Sequence, residues 1–294
     1  MASNLIQLST GMPEENIYSS LIDKCRQILI KMSNEYKFPD GHDYMHFNTV
    51  YKHTHFALLT ATLSKESGVK VMTGIECFAT QLAALLHDLD DRKLKRLFQL
   101  TDEETKAKYP ITDRVLIELA KLDPDSKNEA KWTQISTLVF EMIGYVSCSQ
   151  NGNAVPAGVP LWKMIPRDAD RLEAIGMIGI KRCFEYTHQI GNSLVCPTTP
   201  LPTTRRELDT VIAKYNLDDY VKSGGKSESM LDHFYQKLFH IGIMASDNEY
   251  LQGLADEAIS AMKLWIVKLN RQLKIADVRA LISTHDFIHM AEFK

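Results

Sequence analysis

The stretch "LLHDLDDRKLKR", residues 85–96, decides how this chain is read. An apolar run of helical composition, "FATQLAALL", ends in His87, Asp88, Asp90 and Asp91 and then turns basic at Arg92 and Lys93. Carboxylates gathered at a helix C-terminus sit at the negative end of the dipole, where they are disfavoured. Two readings account for them: a solvated turn, or a cation bound among the acids.

Just upstream, Thr73 is followed three residues later by Glu76, a capping box. It predicts a helix that carries Ile75, Phe78, Ala79, Leu82, Ala83 and Leu86 into the acidic stretch. Nearly every other periodic segment also reads as helix. From Pro13, placed near a helix start, Ile17, Leu21, Cys25, Ile28, Leu29 and Met32 fall on one stripe. A second helix is expected from about 43 to 66, ending near Gly68. Further helices are expected over about 128–145, 168–188, 229–244 and 250–275, with shorter ones near 102–120. Neither repeats nor an alternating strand pattern stand out, so the fold class is all-α.

Two stretches break the pattern. "QNGNAVPAGVP" (150–160) is a turn-rich loop. A longer one, rich in Pro, Thr, Ser and Gly, runs from 191 through "KSGGKSES" near 228. Helical segments flank it on both sides, so it is expected to be a flap-like insertion (about 191–228) in a single domain over 1–294, followed by C-terminal helices over about 229–294. Arg205, Arg206, Lys222 and Lys226 would let such a flap reach a polyphosphate.

The totals bound the function. The chain has 294 residues, with Lys+Arg 34 against Asp+Glu 37 and a net charge of −3. That balance argues against general affinity for membranes or nucleic acid, and any polyanion must meet a local basic patch. The five cysteines are scattered without a C-x-x-C pair, which argues against a zinc knuckle or a disulfide framework and fits a reducing compartment. The N-terminus lacks the charged-then-apolar pattern of a signal peptide, and no run approaches roughly 18 apolar residues. A soluble cytoplasmic protein is expected, with its oligomeric state open.

The dipeptide His-Asp occurs at His42-Asp43, His87-Asp88 and His285-Asp286. His285 has no acidic cluster close by and reads as a surface histidine. His87-Asp88 has that cluster and two long-range partners. One is "GHDYMH" (41–46), in which His42 and His46 share a face if the helix already includes His42. The other is "RDADRLEAIG" (167–176), where Asp168 and Asp170 precede a Gly-containing helix. Taken singly, each has an ordinary structural reading; acids in a first turn complement the dipole. His53 and His55 read as packed or exposed helical histidines.

Together, "GHDYMH", "AALLHDLDDRK" and "DADRLEAIGMIGI", in the order H…HD…D, resemble the HD-domain metal-dependent phosphohydrolases. The resemblance is closest to the bacterial branch that includes nucleotide pyrophosphohydrolases. It extends to "HFYQKL" (233–238), similar to a late helix of that branch, and covers roughly residues 40–240. The chain departs from the branch at Thr49, where a basic residue is usual, and after about 245, where an Arg-bearing helix is usual.

The resemblance implies a helical bundle of the HD-domain type, with the HD core over about 40–190. It implies His46, His87, Asp88 and Asp170 as metal ligands. Two imidazoles and two carboxylates suit Mn²⁺, Fe²⁺, Co²⁺ or Ni²⁺, with Mg²⁺ also admitted. Asp91 matches the position of an acid that orients the attacking water. Arg92, Lys93 and Arg171 follow the ligands directly and are candidate phosphate contacts. Dipole complement is the alternative for the first two, and support of Asp170 for Arg171. His42 is a candidate phosphate contact or proton donor. The implied reaction is pyrophosphate release from a nucleoside triphosphate. Hydrolysis of a nucleotide monoester or an alarmone, and a non-catalytic nucleotide- or metal-binding module, are the alternatives. Alarmone enzymes carry Glu-Asp after their HD, whereas this chain reads Leu89-Asp90-Asp91.

Overall fold

Helix-forming periodicity governs the architecture of the computed structural model, which describes residues 13–39, 41–63 and 72–275. Its helices are α1 (Pro13–Tyr36), α2 (Tyr44–Leu63), α3 (Gly74–Leu86), α4 (Arg92–Lys95), α5 (Pro110–Leu122), α6 (Glu129–Val146) and α7 (Cys148–Asn151). They continue with α8 (Ile165–Leu172), α9 (Gly176–Gln189), α10 (Arg205–Ile212), α11 (Leu217–Lys222), α12 (Met230–His233) and α13 (Glu249–Ile275). Among the described residues the sole β pairing is one isolated bridge, Ser193 to Ser229. The all-α expectation holds. The expected end of the second helix near Gly68 and the His285-Asp286 dipeptide lie outside the described residues.

Two compact units divide between Tyr145 and Val146. In the first, α3 packs on α1 and α2, and α1 also packs on α5. Phe78, Leu82, Leu85 and Leu86 of α3, Leu21, Cys25 and Leu29 of α1, and Phe47 and Val50 of α2 are all buried where these helices pack. Tyr18 stacks on Phe78 with ring centroids 4.6 Å apart. The capping box forms as read: Glu76 N donates to Thr73 Oγ1 (3.2 Å) and Thr73 N to Glu76 Oε2 (2.8 Å). It fixes where α3 starts, and thirteen residues later its end delivers His87.

In the second unit, α13 packs against α8, α9 and α10. The single helix expected over 168–188 is instead two, α8 and α9, broken at Glu173–Ile175. Gly176 has φ +68°, a left-handed conformation that terminates the first helix at little cost only for glycine. Gly179, one turn on, has no room for a Cβ, which would collide with the Ala174 carbonyl. Gly179→Ala is therefore expected to cost about 1–3 kcal/mol or more in denaturant unfolding; an unchanged midpoint would mean the turn gives way freely.

The helix expected over 229–244 is also shorter: α12 continues only through a wide π-helical turn, Phe234–Leu238. The insertion expected over 191–228 contains α10 and α11, and Leu208, Val211, Leu217 and Tyr220 within it are buried. Its Pro-rich part is anchored as well. Tyr235 Oη donates to Pro200 O (3.0 Å), Asn270 Nδ2 to Pro202 O (2.9 Å) and Arg271 Nε to Thr203 O (2.7 Å). The stretch thus has a larger packed share than its Pro, Gly, Thr and Ser content implies. Among its cations, Arg205 bonds Ser260 Oγ (3.2 Å) and Lys222 pairs with Asp219 (4.0 Å).

Candidate metal centre

The acidic stretch resolves into separate jobs. His87 caps α3, and the chain then turns through Asp88–Asp91 into the short α4. The His87 side chain is fully buried, and its Nδ1 lies 2.9 Å from Ala84 O. A carbonyl only accepts, so Nδ1 carries the proton and Nε2 presents its lone pair inward. That is the arrangement found when a histidine ligates a metal and its other nitrogen is braced.

His46 arrives from the first turn of α2. Asp43 Oδ1 accepts His46 N (3.1 Å) and so caps the helix start. His42 stands just outside α2, which begins at Tyr44, so the shared helical face considered for His42 and His46 does not form. Asp88 brings the two together instead. Its Oδ2 lies 2.8 Å from His42 Nδ1, 3.6 Å from His46 Nε2 and 3.5 Å from His87 Nε2. The two histidine Nε2 atoms are 3.2 Å apart. From those distances, the circle through His46 Nε2, His87 Nε2 and Asp88 Oδ2 has a radius of about 2.0 Å, while zinc–imidazole and zinc–carboxylate bonds are roughly 2.0–2.2 Å. The residues fit one divalent ion. Burial pushes the Asp88 pKa up, but the imidazoles gathered round the carboxylate, His87 first and then His42 and His46, outweigh it and hold the carboxyl well below its ordinary range. It is ionised, as a ligand must be.

Lys93 extends this network: its Nζ is 3.3 Å from His42 Nε2. An ammonium only donates, so His42 Nε2 accepts and Nδ1–H donates to Asp88. Arg92 is exposed beside it. Asp91 is exposed and caps α4, its Oδ1 accepting Lys93 N at 2.8 Å.

Asp90 does something the sequence did not disclose. Its two carboxylate oxygens accept Ile111 N (3.0 Å) and Thr112 N (2.9 Å), at the N-terminus of α5, twenty-one and twenty-two residues on. The negative charge also complements the dipole of that helix. Asp90→Ala should cost about 1–2 kcal/mol of stability, as loss of a helix cap does, and leave metal content unchanged. Thermal melting and elemental analysis on one sample check both. Loss of metal with an unshifted melting temperature would place Asp90 in the metal site instead.

Asp170 and Arg171 lie on α8 of the second unit, where Asp170 is half-buried. Arg171 is 2% exposed, and its guanidinium bonds Asn153 Oδ1 (2.6 Å) and the Gly152 carbonyl. These contacts brace the 152–153 turn. The partner acid Asp168 is wholly buried and its Oδ2 accepts Ala245 N (2.7 Å) and Ser246 N (2.6 Å). Burial raises its pKa against those bonds and the charges of Arg167 and Arg171.

One further ligand-like grouping among the described residues is Cys196, Glu228 and Asp232. There the Asp232 Oδ2 already accepts Thr199 Oγ1 (2.8 Å) and Ser229 Oγ (2.6 Å), which tie two loop segments together. Among the described residues, neither His53 nor His55 joins a grouping of this kind.

No protein-family model matches the chain. It is 36% identical over 215 residues to the uncharacterised protein L803 of Acanthamoeba polyphaga mimivirus, covering 72% of this chain and 81% of that one. Among solved structures, an HD-superfamily hydrolase from Bacillus thuringiensis is similar with a TM-score of 0.52 at 21% identity, over 87% of this chain and 98% of that one. Lin1889 of Listeria innocua gives 0.50 at 21% identity, over 90% and 99%. YpgQ of Bacillus subtilis, determined in complex with ADP, gives 0.51 at 18% identity, over 87% and 96%. These likenesses show the all-helical HD-domain fold.

Proposed function

Because this chain belongs to the family of the mimivirus protein L803 and has the fold of an HD-superfamily hydrolase, we propose that it is a metal-dependent phosphohydrolase acting on a nucleotide. Within that class we read it as a nucleoside triphosphate pyrophosphohydrolase. The observation that carries the proposal is the convergence of His46 Nε2, His87 Nε2 and Asp88 Oδ2 at metal–ligand spacing in a buried setting. Asp170 is the fourth ligand in this reading, on the strength of its place in "DADRLEAIG". A divalent ion held by such a set polarises a phosphoryl oxygen and lowers the pKa of a bound water from 15.7 towards about 7 in the best zinc cases.

The remaining roles fall to the chain's own groups. Asp91 orients the attacking water and takes its proton through Oδ2, since Oδ1 holds the α4 cap. Lys93 and Arg92 offer cations to the phosphates of the substrate. His42, held between Asp88 and Lys93, keeps the ligand carboxylate oriented and its ring in one tautomer.

A nucleotide as substrate is supported by YpgQ, whose structure carries ADP. A screen of nucleoside mono-, di- and triphosphates with Mn²⁺, Co²⁺ or Mg²⁺, reading free phosphate and pyrophosphate separately, tests the proposal. Pyrophosphate from triphosphates is expected. Free phosphate from monophosphates would keep the class and change the reaction; no turnover of any nucleotide would overturn the enzymatic reading.

A further inference from the structure

Lys237, in the second unit, has no counter-charge among the described residues. The chain leaves α12 through the π-helical turn Phe234–Leu238, in which Phe239 N reaches back to Phe234 O (3.1 Å). Such turns recur at functional sites, where the extra residue re-aims a side chain. Lys237 emerges from this turn half-buried, with its Nζ 5.8 Å from the centre of the Tyr220 ring. Among the described residues it has no carboxylate partner and no hydrogen-bond acceptor. Lysines drawn away from water are normally paired. The Tyr220 hydroxyl donates to Gly225 O (2.7 Å), and Lys237 meets the ring rather than the hydroxyl.

His233 stands on the same tyrosine, with ring centroids 5.4 Å apart. Its tautomer follows from its neighbours. Ser227 Oγ donates to Gln236 Oε1 (2.7 Å), so the serine accepts from His233 Nδ1–H (3.3 Å). The lone pair is then on Nε2. Burial first, and the Lys237 charge second, push the His233 pKa down to about 3, so the ring is neutral. Burial pushes the nearby Cys183 thiol up to about 12, against the hydrogen bond from Thr187 and the Lys237 charge.

We propose that Lys237 and His233 form a binding site for a protonated oxyanion of the phosphate class. The Lys237 ammonium pairs with a phosphate oxygen, and His233 Nε2 accepts the hydrogen of a P–OH group. The pairing selects against sulfate, which has the same shape but no proton to donate at neutral pH. A sulfate oxygen would face the imidazole lone pair with nothing between them. All the residues involved belong to the second unit, and the proposal does not depend on the metal reading.

Calorimetry on the full chain, stripped of metal by chelation, tests it with inorganic phosphate and inorganic sulfate as probes. Saturable phosphate binding is expected, with sulfate weaker by about tenfold or more, the worth of one charge-assisted hydrogen bond. Lys237→Met keeps the apolar stem on Tyr220 and should lose about tenfold or more of the phosphate affinity. Lys237→Arg should stay within roughly threefold of the wild type, since it retains the charge. His233→Phe keeps the ring on Tyr220 and should bring phosphate and sulfate to equal affinity. Circular dichroism confirms that each variant is folded. The proposal is overturned by a wild type that binds no phosphate saturably, by equal wild-type affinities for phosphate and sulfate, or by a folded Lys237→Met that binds phosphate as the wild type does.

Discussion

Asp88→Ala is expected to purify without a metal ion and to lose nucleotide turnover by roughly 10⁴-fold or more, about 5 kcal/mol of transition-state stabilisation. Asp88 Oδ2 is the single oxygen shared by His42, His46 and His87, so its removal leaves the imidazole lone pairs with no anion to balance a cation. Asp170→Ala should show the same double loss if it is the fourth ligand. Both variants are to be measured for metal content and for turnover on one preparation. An Asp88→Ala protein that keeps a stoichiometric ion would remove this carboxylate from the site. An Asp170→Ala protein that keeps both metal and activity would limit the ligands to the first unit.

Asp91→Asn should separate chemistry from binding. Asparagine caps a helix about as well as aspartate, so the α4 turn held by the bond to Lys93 N is preserved. What is lost is a basic carboxylate. The metal and KM should therefore persist while kcat falls by about 10²–10⁴, the usual contribution of a positioned general base. Residual turnover should survive, because activation of the water by the metal does not run through Asp91. An alanine at this position would confound the result by removing the cap as well. Full activity in Asp91→Asn would take Asp91 out of the mechanism, and loss of metal would make it a ligand.

Much of this centre was legible in the sequence because its signals are local. The capping box of Thr73 and Glu76 fixes the register of α3, and that register puts His87 and Asp88 at its end. "GHDYMH" similarly puts His46 in the first turn of α2. What stayed hidden was the division of labour among the acids. Asp90 answers to backbone N–H groups at residues 111 and 112, a contact between segments twenty residues apart that no local period encodes. The break between α8 and α9 was missed for a related reason. Apolar periodicity runs through 168–188 without a proline, and only the φ of Gly176 shows the turn. The insertion read as loop because Pro, Gly and Thr dominate it. Its helices are short and depend on Leu208 and Tyr220 being buried by residues distant in sequence. The burial of Arg171 on Gly152 and Asn153 is likewise a tertiary contact that no local pattern encodes.

Metal stoichiometry tests the central claim most directly. Protein purified without chelator is to be analysed for transition metals, then stripped and titrated with Mn²⁺, Co²⁺ and Ni²⁺ by calorimetry, alongside His87→Ala. About one ion per chain is predicted in the wild type, with one-site binding after stripping and none in His87→Ala. His87 supplies the fully buried Nε2 of the three converging atoms. A metal-free protein that binds none of the three ions, or a His87→Ala variant that binds them as the wild type does, would contradict a metal centre at His46, His87 and Asp88.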